Sequence, residues 1–167
     1  MAVLGIRGQK WLKCAHLTCV AFWVGGAVAL VFMQQWLSAA SGGELFGIDQ
    51  AMRFVDDRIV VPGAMGCLLT GLCYALLTPW GFFKHRWLVV KWIITVGGVV
   101  FGTFWLGPWL NSLGPISARL GLDALADPAY ARAKSLNSLW GAVQTSTVVL
   151  AVFLSVLKPW GRKGRKD

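Results

Sequence analysis

Four long apolar runs constrain this chain more than any other feature. They cover about residues 14–37, 59–80, 87–110 and 136–157, and charge interrupts them only at Lys91. Each holds about 20 residues or more, enough for a helix rising about 1.5 Å per residue to cross about 30 Å of hydrocarbon. In lipid each run must satisfy its own backbone hydrogen bonds, so the spans are read as helices. The ten-residue alternating segments of a membrane barrel are absent. The first run follows Arg7, Lys10 and Lys13 and ends near Ser38-Ala39-Ala40, which resembles a signal-peptide cleavage site. It is longer than the roughly 7–15 residues of a signal core, so it is read as a genuine span.

Composition agrees. The chain is 56% hydrophobic and 14% charged, against about 25% charged in a soluble domain. It is also too apolar for disorder. Ten tryptophans and nine phenylalanines against two tyrosines suit a protein in and beside a bilayer. The expected fold class is therefore an all-α membrane protein, a single-domain bundle of four transmembrane helices.

The net charge of +9 is read as topology. Eleven of the sixteen basic residues fall on one side: Arg7, Lys10, Lys13, Lys84, Arg86, Lys91 and the tail Lys158, Arg162, Lys163, Arg165, Lys166. The other side holds Arg53, Arg58, Arg119, Arg132 and Lys134 with six of the seven acids. The bias predicts both termini in the cytoplasm of a bacterial inner membrane. The basic tail is expected to lie against anionic lipid, and no nucleic-acid partner is expected.

The loops carry more than tethers. Leu45, Ile48, Met52, Val55 and Ile59 recur at helical spacing, which predicts an amphipathic extension over 45–58 and a bend at Pro62-Gly63. Asp127-Pro128 is a helix start signal, predicting a second extension over 128–135. Residues 111–126, with Gly114-Pro115, read as a loop with a short surface helix. Thr78-Pro79-Trp80-Gly81 and Lys158-Pro159-Trp160-Gly161 end spans two and four alike. Two repeated helical hairpins and a shared interfacial stop signal both explain that likeness. Gly98/Gly102, Ala21/Gly25 and the glycines 63, 66 and 71 are expected to let helices approach closely.

Chemistry has few carriers. His16 and His85 are the two histidines. His16 is expected to face the bundle interior, because an imidazole in lipid would have no polar partner. It is either functional or held by an interhelical hydrogen bond. Lys91 either snorkels to the interface or contacts an anionic group beside His16. Arg58 is expected to pair with Asp56, Asp57 or lipid phosphate. Cys14, Cys19, Cys67 and Cys73 form no CxxC pair, and copper binding by His16 with Cys19 is a weaker alternative to small apolar packing. Gln144 lies near mid-membrane and must find a partner in the bundle or a cavity. No P-loop, GxSxG, HExxH or GxGxxG occurs.

Three stretches carry a resemblance. Span one reads His16-Leu17-Thr18-Cys19-Val20-Ala21-Phe22-Trp23-Val24-Gly25-Gly26, span two opens Arg58-Ile59-Val60-Val61-Pro62-Gly63, and His85-Arg86-Trp87-Leu88-Val89-Val90-Lys91 opens span three. This resembles the loose group of small bacterial membrane proteins containing the haem-binding type of protoporphyrinogen oxidase and the copper-resistance protein D domain. The resemblance implies His16 as a haem b ligand, hence the metal-binding residue, with Trp23 and Lys91 beside the cofactor. Those oxidases carry a Pro-Arg stretch and a further histidine after the first-helix tryptophan, where this chain reads Val28-Ala29-Leu30-Val31-Phe32-Met33-Gln34-Gln35. Three functions are expected from these readings: a redox protein binding haem near the cytoplasmic leaflet, a nonenzymatic subunit or assembly partner of a membrane complex or homo-oligomer, and copper handling or small-solute transport.

Overall fold

The computed structural model describes residues 4–78 and 86–157. Among them all regular structure is helical: α1 (Ile6–Trp36), α2 (Gly42–Val55), α3 (Val61–Leu77), α4 (Arg86–Phe101), α5 (Gly107–Leu120) and α6 (Pro128–Leu157). A π turn at Asp56–Val60 joins α2 to α3, another at Gly102–Leu106 joins α4 to α5, and a 3-10 stretch, Gly121–Ala126, follows α5. The result is four rods, Ile6–Trp36, Gly42–Leu77, Arg86–Ala126 and Pro128–Leu157, each long and apolar enough to cross a membrane. This is the architecture of a multi-pass membrane protein. His85, Pro79-Trp80-Gly81 and Lys158-Pro159-Trp160-Gly161, on which the hairpin repeat rests, lie outside the described residues, as does the basic tail.

Helix α1 packs against α3 and α6, and α4 packs against α6 and α3, closing an up-and-down ring. Trp11 and Trp36 stand exposed at opposite ends of α1. Their 25-residue spacing corresponds to about 38 Å along the axis, comparable to the distance between membrane interfaces. The second rod has 36 residues and runs about 54 Å, well beyond the hydrocarbon thickness. Its surplus, α2, packs on α5, and α5 packs on α6. Leu45, Met52, Leu110, Leu113, Ala124 and Tyr130 fill the core of this lobe. Trp23, Ala64, Cys67 and Val148 form a separate core inside the bundle.

Local signals explain where the rods begin. The Ser41 hydroxyl accepts the Glu44 amide at 3.3 Å, and the Glu44 carboxylate accepts the Ala40 amide at 2.6 Å. This S-x-x-E cap starts α2 at Gly42, ahead of the predicted Leu45. Asp127 accepts the amides of Ala129 at 2.9 Å and Tyr130 at 3.0 Å, and α6 starts at Pro128 as predicted. Asp127→Ala is expected to lower stability by about 1 kcal/mol, read as a lower thermal unfolding midpoint in detergent.

The loop expected over 111–126 is not found. Helix α5 continues through Pro115 to Leu120, and the 3-10 stretch completes the segment. Leu110, Leu113, Gly114 and Ser117 are buried at helical spacing, and their packing overrides the Gly114-Pro115 breaker signal. Gly121, at φ +58°, ends α5 in a backbone region that other residues rarely adopt.

The expected bend at Pro62 takes the form of a widened turn. The Val61 amide reaches back to the Asp56 carbonyl, and the Gly107 amide to that of Gly102. Pro62 and Pro108 each follow such a turn by two residues. Proline lacks an N–H and its ring collides with the carbonyl four residues back. One extra residue in the preceding turn moves that carbonyl aside without ending the helix.

Two pairings differ from expectation. Asp57 pairs with Arg53 at 3.5 Å, one turn back, rather than with Arg58. Both partners are half-exposed, so the pair contributes little. Ala21 and Gly25 face outward, and a Cβ at Gly25 would meet nothing within 4 Å. Gly26 takes the contact instead, against Val60 and Ile59 of the second rod.

Candidate functional site

His16 and Lys91 come together, on α1 and α4. His16 Nδ1 lies 2.7 Å from Thr70 Oγ1 on α3, and Lys91 Nζ lies 3.5 Å from Nε2. The Thr70 hydroxyl already donates to the Gly66 carbonyl at 2.6 Å, so it accepts from His16. That assigns the proton to Nδ1 and leaves the Nε2 lone pair for the Lys91 ammonium. Three helices are thus tied by one relay: Lys91 to His16 to Thr70 to the backbone of α3. Tyr74 stands edge-on to the imidazole, with ring centroids 6.0 Å apart, and donates to the Gln9 carbonyl at 3.2 Å. His16 faces the bundle interior, as predicted.

Axial ligation of haem needs a free ring nitrogen beside a large cavity. Here both nitrogens of His16 face protein partners, and neither cavity described below is lined by His16 or Lys91. The residues in this arrangement do not fit a haem. Among the described residues, no three His, Cys, Asp or Glu side chains gather as a metal-binding set. Cys19, the second candidate copper donor, packs against Gly66 instead.

Trp23 sits apart from the relay, 4% exposed, in the bundle core. It borders a cavity of about 90 Å³ to which all four rods contribute. A Cβ on Gly98 would lie 3.4 Å from the Trp23 ring, and one on Gly102 3.4 Å from Gln144 Nε2. The GxxxG pair therefore makes room for an indole and an amide inside one bundle. At the lobe end of this cavity, Gln34 Nε2 donates to Asn137 Oδ1 at 2.8 Å, and Asn137 Nδ2 donates to the Leu106 carbonyl at 2.8 Å. The amide oxygens of Gln34 and Gln144 are buried and have no partner among the described residues. Each such orphan is disfavoured by about 1–3 kcal/mol unless a donor reaches it.

A second cavity, of about 180 Å³, lies between the lobe and the bundle. Asp49, 2% exposed, accepts the Tyr130 hydroxyl on both oxygens at 3.1 and 3.2 Å. Asp49 stands about 15 Å beyond Ile59 along the rod, in the charged α2 end by which the rod exceeds the hydrocarbon thickness. Burial pushes its carboxyl above the ordinary range, opposed by hydrogen bonds from Ser117 and Tyr130 and by the Lys134 charge.

No protein-family model, curated protein or solved structure matches this chain. The sequence alone does not pair Gln34 with Asn137. The available signal was polarity: both are amides in or beside long apolar runs, where a lone amide needs a partner.

Proposed function

We propose that the chain is an inner-membrane protein, both termini cytoplasmic, that binds a small hydrogen-bond-donating solute at the centre of its bundle. The observation that carries this reading is the pair of orphaned amide oxygens, Gln34 Oε1 and Gln144 Oε1, on two residues lining one cavity. Both unmet groups are acceptors, so the complementary solute is a donor. At about 30 Å³ per liquid water, the cavity takes about three water-sized groups. With at most about 1.5 kcal/mol per non-hydrogen atom, a solute of three or four atoms binds no tighter than tens of micromolar. The reading belongs with small-solute binding or transport rather than with redox chemistry.

Saturation-transfer NMR on the protein in lipid nanodiscs tests it. Acetamide, whose NH2 group donates, is expected to give a saturable signal, and Gln144→Leu to reduce it at least tenfold. Dimethyl sulfoxide, which only accepts, is expected to give none. Equal binding of both probes, or an unchanged signal in Gln144→Leu, overturns the reading. Reporter fusions at the termini and within α2 test the topology: an external terminus contradicts it.

A further inference from the structure

We propose that the cavity between lobe and bundle is a second binding site, for a small alkylammonium ion, with Asp49 as its counter-ion. Asp49 is almost wholly buried, and its side-chain hydrogen bonds bring hydroxyls, not a cation. Among the described residues, no ion pair to Asp49 occurs at salt-bridge distance. A buried carboxylate whose neighbouring cation, Lys134, stays beyond salt-bridge distance is incompletely compensated, and an organic ammonium that reaches it supplies the missing contact.

The walls specify the rest of the ligand. Met33, Leu37, Leu45, Ile48, Met52 and Leu125 make most of the lining apolar. The polar groups are Gln34, Ser38, Asp49, Tyr130 and Lys134. Leu37 and Ser38 are exposed, so the cavity reaches the surface there. Tyr130 directs its hydroxyl at Asp49, and the Lys134 ammonium lies 6.0 Å from the Tyr130 ring centroid. An ammonium head therefore meets Asp49 while a short alkyl chain lies along methionine and leucine side chains. At about 30 Å³ per water-sized group, the cavity takes about six such groups, matching an amine of four or five carbons. Lys134 borders the same space and competes for the carboxylate. A carboxylate ligand of the same length meets Asp49 as a like charge and is excluded.

The site is separable from the central one, because Gln144 does not border it. The test is saturation-transfer NMR on the nanodisc-embedded protein with methyl-, propyl-, butyl- and pentylammonium, and with butyrate. Affinity is expected to rise about fourfold per methylene up to butyl- or pentylammonium. Asp49→Asn is expected to weaken butylammonium binding at least tenfold, Lys134→Gln to strengthen it, and Gln144→Leu to leave it unchanged. Butyrate binding as strongly as butylammonium overturns the proposal, as does absence of chain-length dependence. If Asp49→Asn does not fold, Lys134→Gln and the butyrate comparison still decide. Loss of butylammonium binding in Gln144→Leu also overturns it, by placing that ligand in the central cavity.

Discussion

Gly63→Leu is expected to abolish the stable bundle. A Cβ at Gly63 would stand 2.6 Å from the Trp23 amide nitrogen and 3.1 Å from the Cys19 carbonyl oxygen. Both are backbone atoms of α1, so no side-chain rotation relieves the clash. The helices must part, and the contacts that bury Trp23 and Cys67 part with them. Overpacking of this kind is disfavoured by about 3 kcal/mol or more when backbone must move. The measurement is fluorescence-detected size exclusion with a thermal ramp. Gly25→Leu is the matched control, because a Cβ there meets nothing within 4 Å. It is expected to change stability by less than about 0.5 kcal/mol. Equal behaviour of the two variants contradicts the close α1–α3 contact.

His16→Ala is expected to have the second large effect. The substitution removes the acceptor of the Lys91 ammonium and the donor to Thr70, at a point where three helices meet. Lys91 is part-buried, so stripping its partner is disfavoured by about 1–3 kcal/mol. Lys91→Met in the His16→Ala background is expected to recover part of that loss, since the unpaired ammonium is then gone. A double-mutant cycle on thermal stability reads the coupling directly. Additive effects of His16→Ala and Lys91→Met contradict the relay. An absorption spectrum of the same preparations tests the haem resemblance. A Soret band lost in His16→Ala, with stability retained, contradicts the structural reading of His16.

Much of the architecture was legible because it is local. An apolar run of about 20 residues has to be a helix in lipid, whatever its neighbours do. Asp127 caps α6 with atoms two and three residues away, so two adjacent residues announced that start. The inward aim of His16 followed from the penalty for a lone imidazole in lipid. Even α5 had a legible pattern in Leu110, Leu113, Gly114 and Ser117, masked by Gly114-Pro115.

Other features depended on how the rods are rotated and crossed. That Gly26 rather than Gly25 meets the second rod is a matter of helix rotation by one residue, about 100°. That His16 bonds Thr70, and that Trp23 lies away from Lys91, required the relative heights of three helices. The two cavities are voids between rods, so no single segment encodes them. The sequence by itself determined that this chain makes four apolar helices with polar extensions, because backbone hydrogen bonding in lipid leaves no other choice. Only the tertiary structure decided which polar side chains are paired and which are left without a partner among the described residues, because pairing depends on contacts between residues up to 103 positions apart.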